Sequence, residues 1–148
     1  MSFILIAISV VAASLLTVIW IKRKRGKQQM ELHSITPEAL RTLLASTQVL
    51  LLDVRQPLDL LADSEIIPGA TRIPPKEVLQ NPSLIPRDKD VVVYCTCPGD
   101  ETSRRILHQV LALHFLRIKL LKGGLAGWKA KGYPVVPYEK PFHLDTRT

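Results

Sequence analysis

Two cysteines one residue apart, Cys95 and Cys97, stand where an apolar run passes into a turn-rich loop and then a helical pattern. The stretch reads Val91-Val92-Val93-Tyr94-Cys95-Thr96-Cys97-Pro98-Gly99-Asp100-Glu101-Thr102-Ser103-Arg104-Arg105. A thiol placed where a strand hands over to a helix meets the unpaired N–H groups of the first helical turn. These N–H groups and the helix dipole favour negative charge, so the thiol gains thiolate character and becomes a candidate nucleophile. The same pattern also fits an inert cysteine closing a buried strand, a common fate of free Cys. No other cysteine is present. Cys-x-Cys supplies two zinc ligands, but His108, the next histidine, falls in the middle of the following helix, so no four-ligand set forms and no metal is expected. His33, His114 and His143 read as surface or helix-face residues.

The elements around the thiols alternate. Thr36 caps a helix with Pro37 at its first position, after a start at Ser34, and Leu40, Leu43 and Leu44 give it an apolar face. Val49–Val54 is a continuous apolar run ending in Asp-Val-Arg, without alternation, as in a strand buried on both faces, and Ile118–Leu121 reads as another buried strand. Leu58–Ala62 and Pro75–Leu79 read as short helices around a brief strand at Thr71–Ile73. Asn81–Asp90 reads as a proline-broken loop. A longer helix runs from Ser103 to about Leu116, with one buried stripe through Ile106, Leu107, Val110, Leu111 and Leu113. Leu125–Lys131 is the last helix, and the tail from Tyr138 onward is expected to be loosely ordered. The alternation predicts an α/β fold with a parallel sheet flanked by helices on both faces, and such sheets hold ligands beyond the carboxyl ends of their strands, where Cys95 stands.

Four pieces occur in order: Leu51-Leu52-Asp53-Val54-Arg55, Ile67-Pro68-Gly69-Ala70, the Cys95 loop, and Gly123-Gly124-Leu125-Ala126-Gly127-Trp128-Lys129-Ala130-Lys131-Gly132-Tyr133-Pro134-Val135. Together they resemble a rhodanese-like (sulfurtransferase) domain from about Thr36 to about Pro137. The resemblance implies that a cysteine at the end of the central strand takes sulfur from a donor and holds it as a persulfide. It then passes the sulfur to a thiol acceptor, with no cofactor. Inward-pointing loop N–H groups stabilise the anion, as in other backbone nests. The resemblance implies Cys95 as the nucleophile by strand position, with Cys97 as the alternative. By the same resemblance, Thr96, Cys97, Pro98, Gly99, Asp100, Glu101, Thr102 and Ser103 are expected to form the substrate-binding loop.

The family's usual loop is a cysteine and about five more residues; counted back from a helix starting at Ser103, this fits Cys97 and makes the loop from Cys95 two residues longer. Under the Cys95 assignment, Cys97 becomes a resolving thiol. Family members that turn over thiosulfate carry a basic residue in this loop. Asp100 and Glu101 instead repel an anionic donor and raise a thiol's pKa, so thiosulfate is expected to be a poor donor. Arg104 and Arg105 could offset this in part. Related phosphatases and arsenate reductases need arginine six positions after the cysteine, where Glu101 or Ser103 stands here. Phosphoryl chemistry therefore ranks below sulfur chemistry. Asp53 and Arg55 are read as supports of the fold, and Trp128 and Tyr133 as packing residues. A catalytically inactive domain that binds another protein remains the alternative function.

Phe3–Ile21 is apolar apart from Ser9, Ser14 and Thr17, and carries no charge. As a helix it spans roughly 28 Å, close to the hydrocarbon thickness of a bilayer. Trp20 closes it where an interfacial aromatic is expected, and Lys22, Arg23, Lys24, Arg25 and Lys27 follow. The positive-inside rule predicts a single-pass protein of a bacterial-type inner membrane, with the N-terminus outside and the domain in the cytoplasm. A cleaved signal peptide would need a basic segment first and a cleavage site, and neither stands in the right place. In the cytoplasm both thiols would be reduced.

The expected organisation is a transmembrane anchor over 1–21, a basic juxtamembrane linker over 22–33, the rhodanese-like domain over 34–137 and a C-terminal tail over 138–148. The net charge of +7 is concentrated in the linker; removing those five residues leaves fifteen basic against thirteen acidic, a net of +2. The expected partners are a sulfur donor, a thiol acceptor and the lipid bilayer, contacted through residues 3–21 and the Lys22 to Lys27 cluster. No nucleic acid is expected.

Overall fold

The apolar runs Leu50–Asp53 and Val91–Tyr94 become neighbouring strands of one parallel sheet in the computed structural model, which describes residues 2–46, 49–96, 101–142 and 144. At residues 2, 3, 5 and 101 it describes the backbone alone. The chain divides into two units, Met1–His33 and Ser34–Thr148.

The first unit is a single helix, α1 (Ser2–Leu32). Its segment Ile6–Leu32 is long and apolar enough to cross a membrane. The three hydroxyls in the apolar part bond back to their own helix: Ser9 donates to the Ile6 carbonyl, Ser14 to Val10 and Thr17 to Ala13, each at 2.8 Å. This satisfies polar groups that would find no water in hydrocarbon. The Lys24 ammonium stands 5.1 Å from the centre of the Trp20 ring. The basic stretch expected as a linker is helical through Leu32, Gly26 included, because its Lys, Arg, Gln and Leu residues are good helix formers.

The second unit contains β1 (Ser34–Ile35), α2 (Pro37–Ser46), β2 (Leu50–Asp53), α3 (Pro57–Ala62), β3 (Glu65–Ile66), β4 (Thr71–Arg72) and α4 (Pro75–Gln80). A short 3₁₀ turn follows at Pro82–Leu84. Then come β5 (Val91–Tyr94), α5 (Glu101–Ala112), β6 (Ile118–Leu121), α6 (Gly124–Ala130) and β7 (Val136–Pro137). Five strands form a sheet in the order β1-β6-β5-β2-β4, every pair parallel. β3 and β7 form a separate antiparallel pair. The fold is α/β, with a central parallel sheet flanked by helices.

β5 is the central strand and all four of its residues are buried, which explains its unalternated Val-Val-Val-Tyr sequence. α2 is capped as expected, the Ala39 N–H donating to Thr36 Oγ1 at 3.2 Å. Several boundaries differ from expectation. Ser34–Ile35 pairs with Leu120 and Leu121 as a strand instead of opening the helix. α5 starts at Glu101, two residues before Ser103, and ends at Ala112; beyond it His114 takes a left-handed φ of 61°. The described part of the tail is also tied down: Tyr138 N–H donates to the Ser64 carbonyl at 2.7 Å, and Tyr138 and Phe142 pair their rings 6.2 Å apart.

Candidate functional site

The carboxyl edge of the sheet is organised by a buried charge pair. Asp53, at the end of β2, and Arg55 are both fully buried. Arg55 Nε donates to both Asp53 oxygens at 3.0 and 2.9 Å, and Nη2 to Oδ2 at 2.7 Å. The remaining guanidinium donors reach the carbonyls of Asp63 and Glu65 at 2.7 and 2.9 Å. Burial alone would lower the Arg55 pKa; the hydrogen bonds and charge of Asp53 outweigh it and hold it above its ordinary value. Tyr94, the last residue of β5, donates its hydroxyl to Asp53 Oδ2 at 3.2 Å and accepts from the Ile67 N–H at 3.2 Å. Burial, then the Asp53 charge, pushes this phenol well above its usual pKa, so it stays protonated and donating. The network locks the residue immediately before Cys95.

Cys95 itself is buried, at 8% exposure. Its backbone is held from the opposite side by the glycine-rich piece. Gly123 and Gly124 take left-handed φ values of 75° and 54°, a conformation that favours glycine. The turn they make aims the first N–H groups of α6 at the loop: Leu125 N–H donates to the Cys95 carbonyl at 2.8 Å and Ala126 N–H to the Thr96 carbonyl at 3.2 Å. Orphan donors of a helix start thereby fix the entry into the loop. Gly127 lets α6 pack closely, since a Cβ there would stand 2.9 Å from the Lys122 carbonyl oxygen.

Of the other expected loop residues, Cys97, Pro98, Gly99 and Asp100 lie outside the described residues. Glu101 is the first residue of α5, Thr102 is half-buried and Ser103 is buried at 1% exposure. Thr96 Oγ1 and Ser103 Oγ, which flank residues 97–100 in the chain, are buried and have no hydrogen-bond partner among the described residues. Such orphan hydroxyls are rare in folded proteins, and an anion formed beside them would accept their hydrogen bonds. Arg104 and Arg105 are both exposed.

The pattern match is decisive on family: residues 36–131 match the model of the rhodanese-like domain. The chain belongs to the rhodanese-like domain family. A sulfurtransferase of Allochromatium vinosum is 32% identical over 108 residues, covering 72% of this chain and 97% of that protein. A rhodanese-related protein of Thermoplasma volcanium superposes with a TM-score of 0.58 at 29% identity, covering 70% of this chain and 97% of that one. A thiosulfate sulfurtransferase of Pseudomonas aeruginosa shares the fold at a TM-score of 0.58 and 24% identity, over 72% of this chain and 19% of its own. Within this rhodanese-like domain the Asp-Val-Arg piece is the buried pair that holds Tyr94, the residue before Cys95. The Gly-Gly…Gly-Trp-Lys piece is the clamp on its first two carbonyls. Arg72 was not singled out by sequence, because an arginine two residues before Pro74 carries no motif of its own; its place becomes visible only once β4 is paired with β2.

Proposed function

We propose that this protein is a membrane-anchored sulfurtransferase that carries sulfane sulfur as a persulfide on Cys95, on the cytoplasmic side of the membrane. The observation that carries the reading is the position of Cys95. It directly follows the central strand, the preceding Tyr94 is locked by its hydrogen bonds and the Cys95 carbonyl is clamped by α6. Six residues, 95–100, connect β5 to α5, a cysteine and five more, so the earlier helix start removes the length mismatch that counted for Cys97. Family membership and the sulfurtransferase relative support the transferase reading, and the apolar helix followed by basic residues supports the anchor.

In the first half-reaction the Cys95 thiolate attacks the terminal sulfur of a persulfide or polysulfide donor. The donor's S–S bond breaks, its thiolate leaves with the electron pair, and Cys95 holds the sulfur as S–SH. In the second, an acceptor thiolate attacks that outer sulfur, the Cys95 S–S bond breaks and the Cys95 thiolate is regenerated. Neither half-reaction needs an external oxidant or metal. The test is mass spectrometry of the full chain in detergent after exposure to polysulfide: one added sulfur atom, removed by a thiol, is expected on a peptide containing Cys95. Absence of any sulfur adduct would leave the protein-binding role in its place.

A further inference from the structure

Arg72 ends β4 beside the buried charge pair, yet it is not part of it. Its Nη2 donates to the Arg55 carbonyl at 3.3 Å, and its guanidinium carbon lies 5.7 Å from the centre of the Phe142 ring. Its Nε is buried and has no hydrogen-bond partner, and it makes no ion pair among the described residues. A guanidinium carries five donors in a planar fork suited to a carboxylate. Leaving such donors unmatched in a partly buried place is costly unless a ligand completes them.

The side chain lines a cleft of about 1120 Å³, large enough for a small-molecule ligand. Leu58, Pro74, Tyr138 and Phe142 give it apolar walls, while Arg72 and Lys76 against Glu77 give its described lining a net positive charge. Arg72, in the lining of the cleft, stands beside Asp53 at the carboxyl edge of the sheet. Arg72 and Tyr94 both pair with Asp53, one on each side of β2. With strands about 4.8 Å apart, their α-carbons are about 10 Å from each other, and Cys95 follows Tyr94. An acceptor that meets both Arg72 and the Cys95 sulfur must therefore carry its carboxylate several bonds from its thiol.

We propose that this cleft is the acceptor subsite, and that Arg72 selects an acceptor thiol bearing a carboxylate. The proposal rests on the sulfur-transfer reading and names the class of acceptor. Arg72 touches the carboxylate and not the reacting sulfur atoms, so it determines specificity. The reaction is the second half-reaction above: the acceptor's thiolate takes the outer sulfur and leaves as R–S–SH, and Cys95 regains its thiolate.

Two measurements on the full chain in detergent test it. Equilibrium dialysis with S-methylglutathione, which cannot accept sulfur, reads binding alone. The wild type should bind it, and Arg72→Gln should weaken binding about tenfold, the loss of one charge-assisted contact. Arg72→Lys, which keeps the charge and guards against a folding artefact, should recover part of it. In sulfur transfer from polysulfide, Arg72→Gln should raise the KM for glutathione about tenfold, while the KM for its diethyl ester, which has no carboxylate, should not follow. Equal effects on acid and ester, or dialysis unchanged by the substitution or showing no binding to the wild type, would overturn the subsite. If the wild type transfers sulfur to no thiol, the sulfur-transfer reading fails, and the dialysis still decides whether the cleft takes a carboxylate.

Discussion

Asp53 shows how little freedom the site has at the level of single groups. Its carboxylate receives Arg55 and the Tyr94 hydroxyl, all three in the interior, so Asp53→Ala leaves a buried guanidinium without its counter-charge. We expect a loss of about 3–5 kcal/mol in denaturant unfolding, whereas Tyr94→Phe, which orphans only the Ile67 N–H and one carboxylate lone pair, should cost about 1–3 kcal/mol. The two thiols separate by function and not stability. Cys95→Ser should abolish sulfur loading, while Cys97→Ser should load normally and alter only release or oxidation, because accepting sulfur requires one thiolate. Reversed phenotypes in mass spectrometry would move the nucleophile to Cys97; full loading in both variants would remove the privileged thiol altogether. Neutralising Asp100 and Glu101 together should raise thiosulfate turnover, since the two carboxylates repel this dianionic donor.

α6 carries the second half of the site and joins it to the β3–β7 pair. Its Lys129 ammonium sits 2.6 Å from both Asp63 and Glu65. Burial alone would raise the Asp63 pKa, but the Lys129 hydrogen bond and the Glu65 N–H outweigh it and hold the carboxyl below its ordinary range; burial would lower Lys129, and its two carboxylate partners raise it instead. The depressed Asp63 pKa therefore contributes stability above its unfolded value of about 3.9, lost as pH falls through the lower folded value. The raised Lys129 pKa contributes below its unfolded value of about 10.4, lost as pH rises through the higher folded value. Lys129→Gln should cost about 1 kcal/mol near neutrality, held to that by the partial exposure of the side chains, and thermal melts of variant and wild type should converge at both pH extremes. Gly127→Ala should be worse at every pH, because its methyl meets the Lys122 carbonyl oxygen. The long apolar strands and capped helices around this element were legible in the sequence because burial on two faces and a Thr-Pro start leave local marks. β1, β3 and β7, two residues each, leave none; their pairing partners lie far along the chain, and only the closed fold selects them. For the same reason the four ordered motifs disclosed the family, but neither the hold of α6 on the Cys95 and Thr96 carbonyls nor the cleft around Arg72, whose walls come from three separated segments.

Across the whole chain, charge and hydrophobicity are sorted into two regions. The first has exposed apolar side chains along a helix whose hydroxyls are internally bonded, followed by five basic residues. The second has an apolar core and nearly balanced charge. A lone helix that exposes Ile4, Ile6, Val10, Leu15 and Leu16 is long and apolar enough to cross a membrane, which is what the proposed anchor uses. The proposed orientation rests on the basic cluster at one end, because moving Lys and Arg across a membrane is what insertion resists. A reporter active only in the cytoplasm, fused after Thr148, should be active in bacterial cells, and one that works only outside should be silent. Replacing Lys22, Arg23, Lys24 and Arg25 with Gln should scramble that preference without changing sulfur loading on detergent-solubilised protein, since none of these residues belongs to the loop or the cleft. Activity confined to the external reporter would place Cys95 in an oxidising compartment, where Cys95 and Cys97 would be driven toward a disulfide and a persulfide carrier would be starved of thiol acceptors.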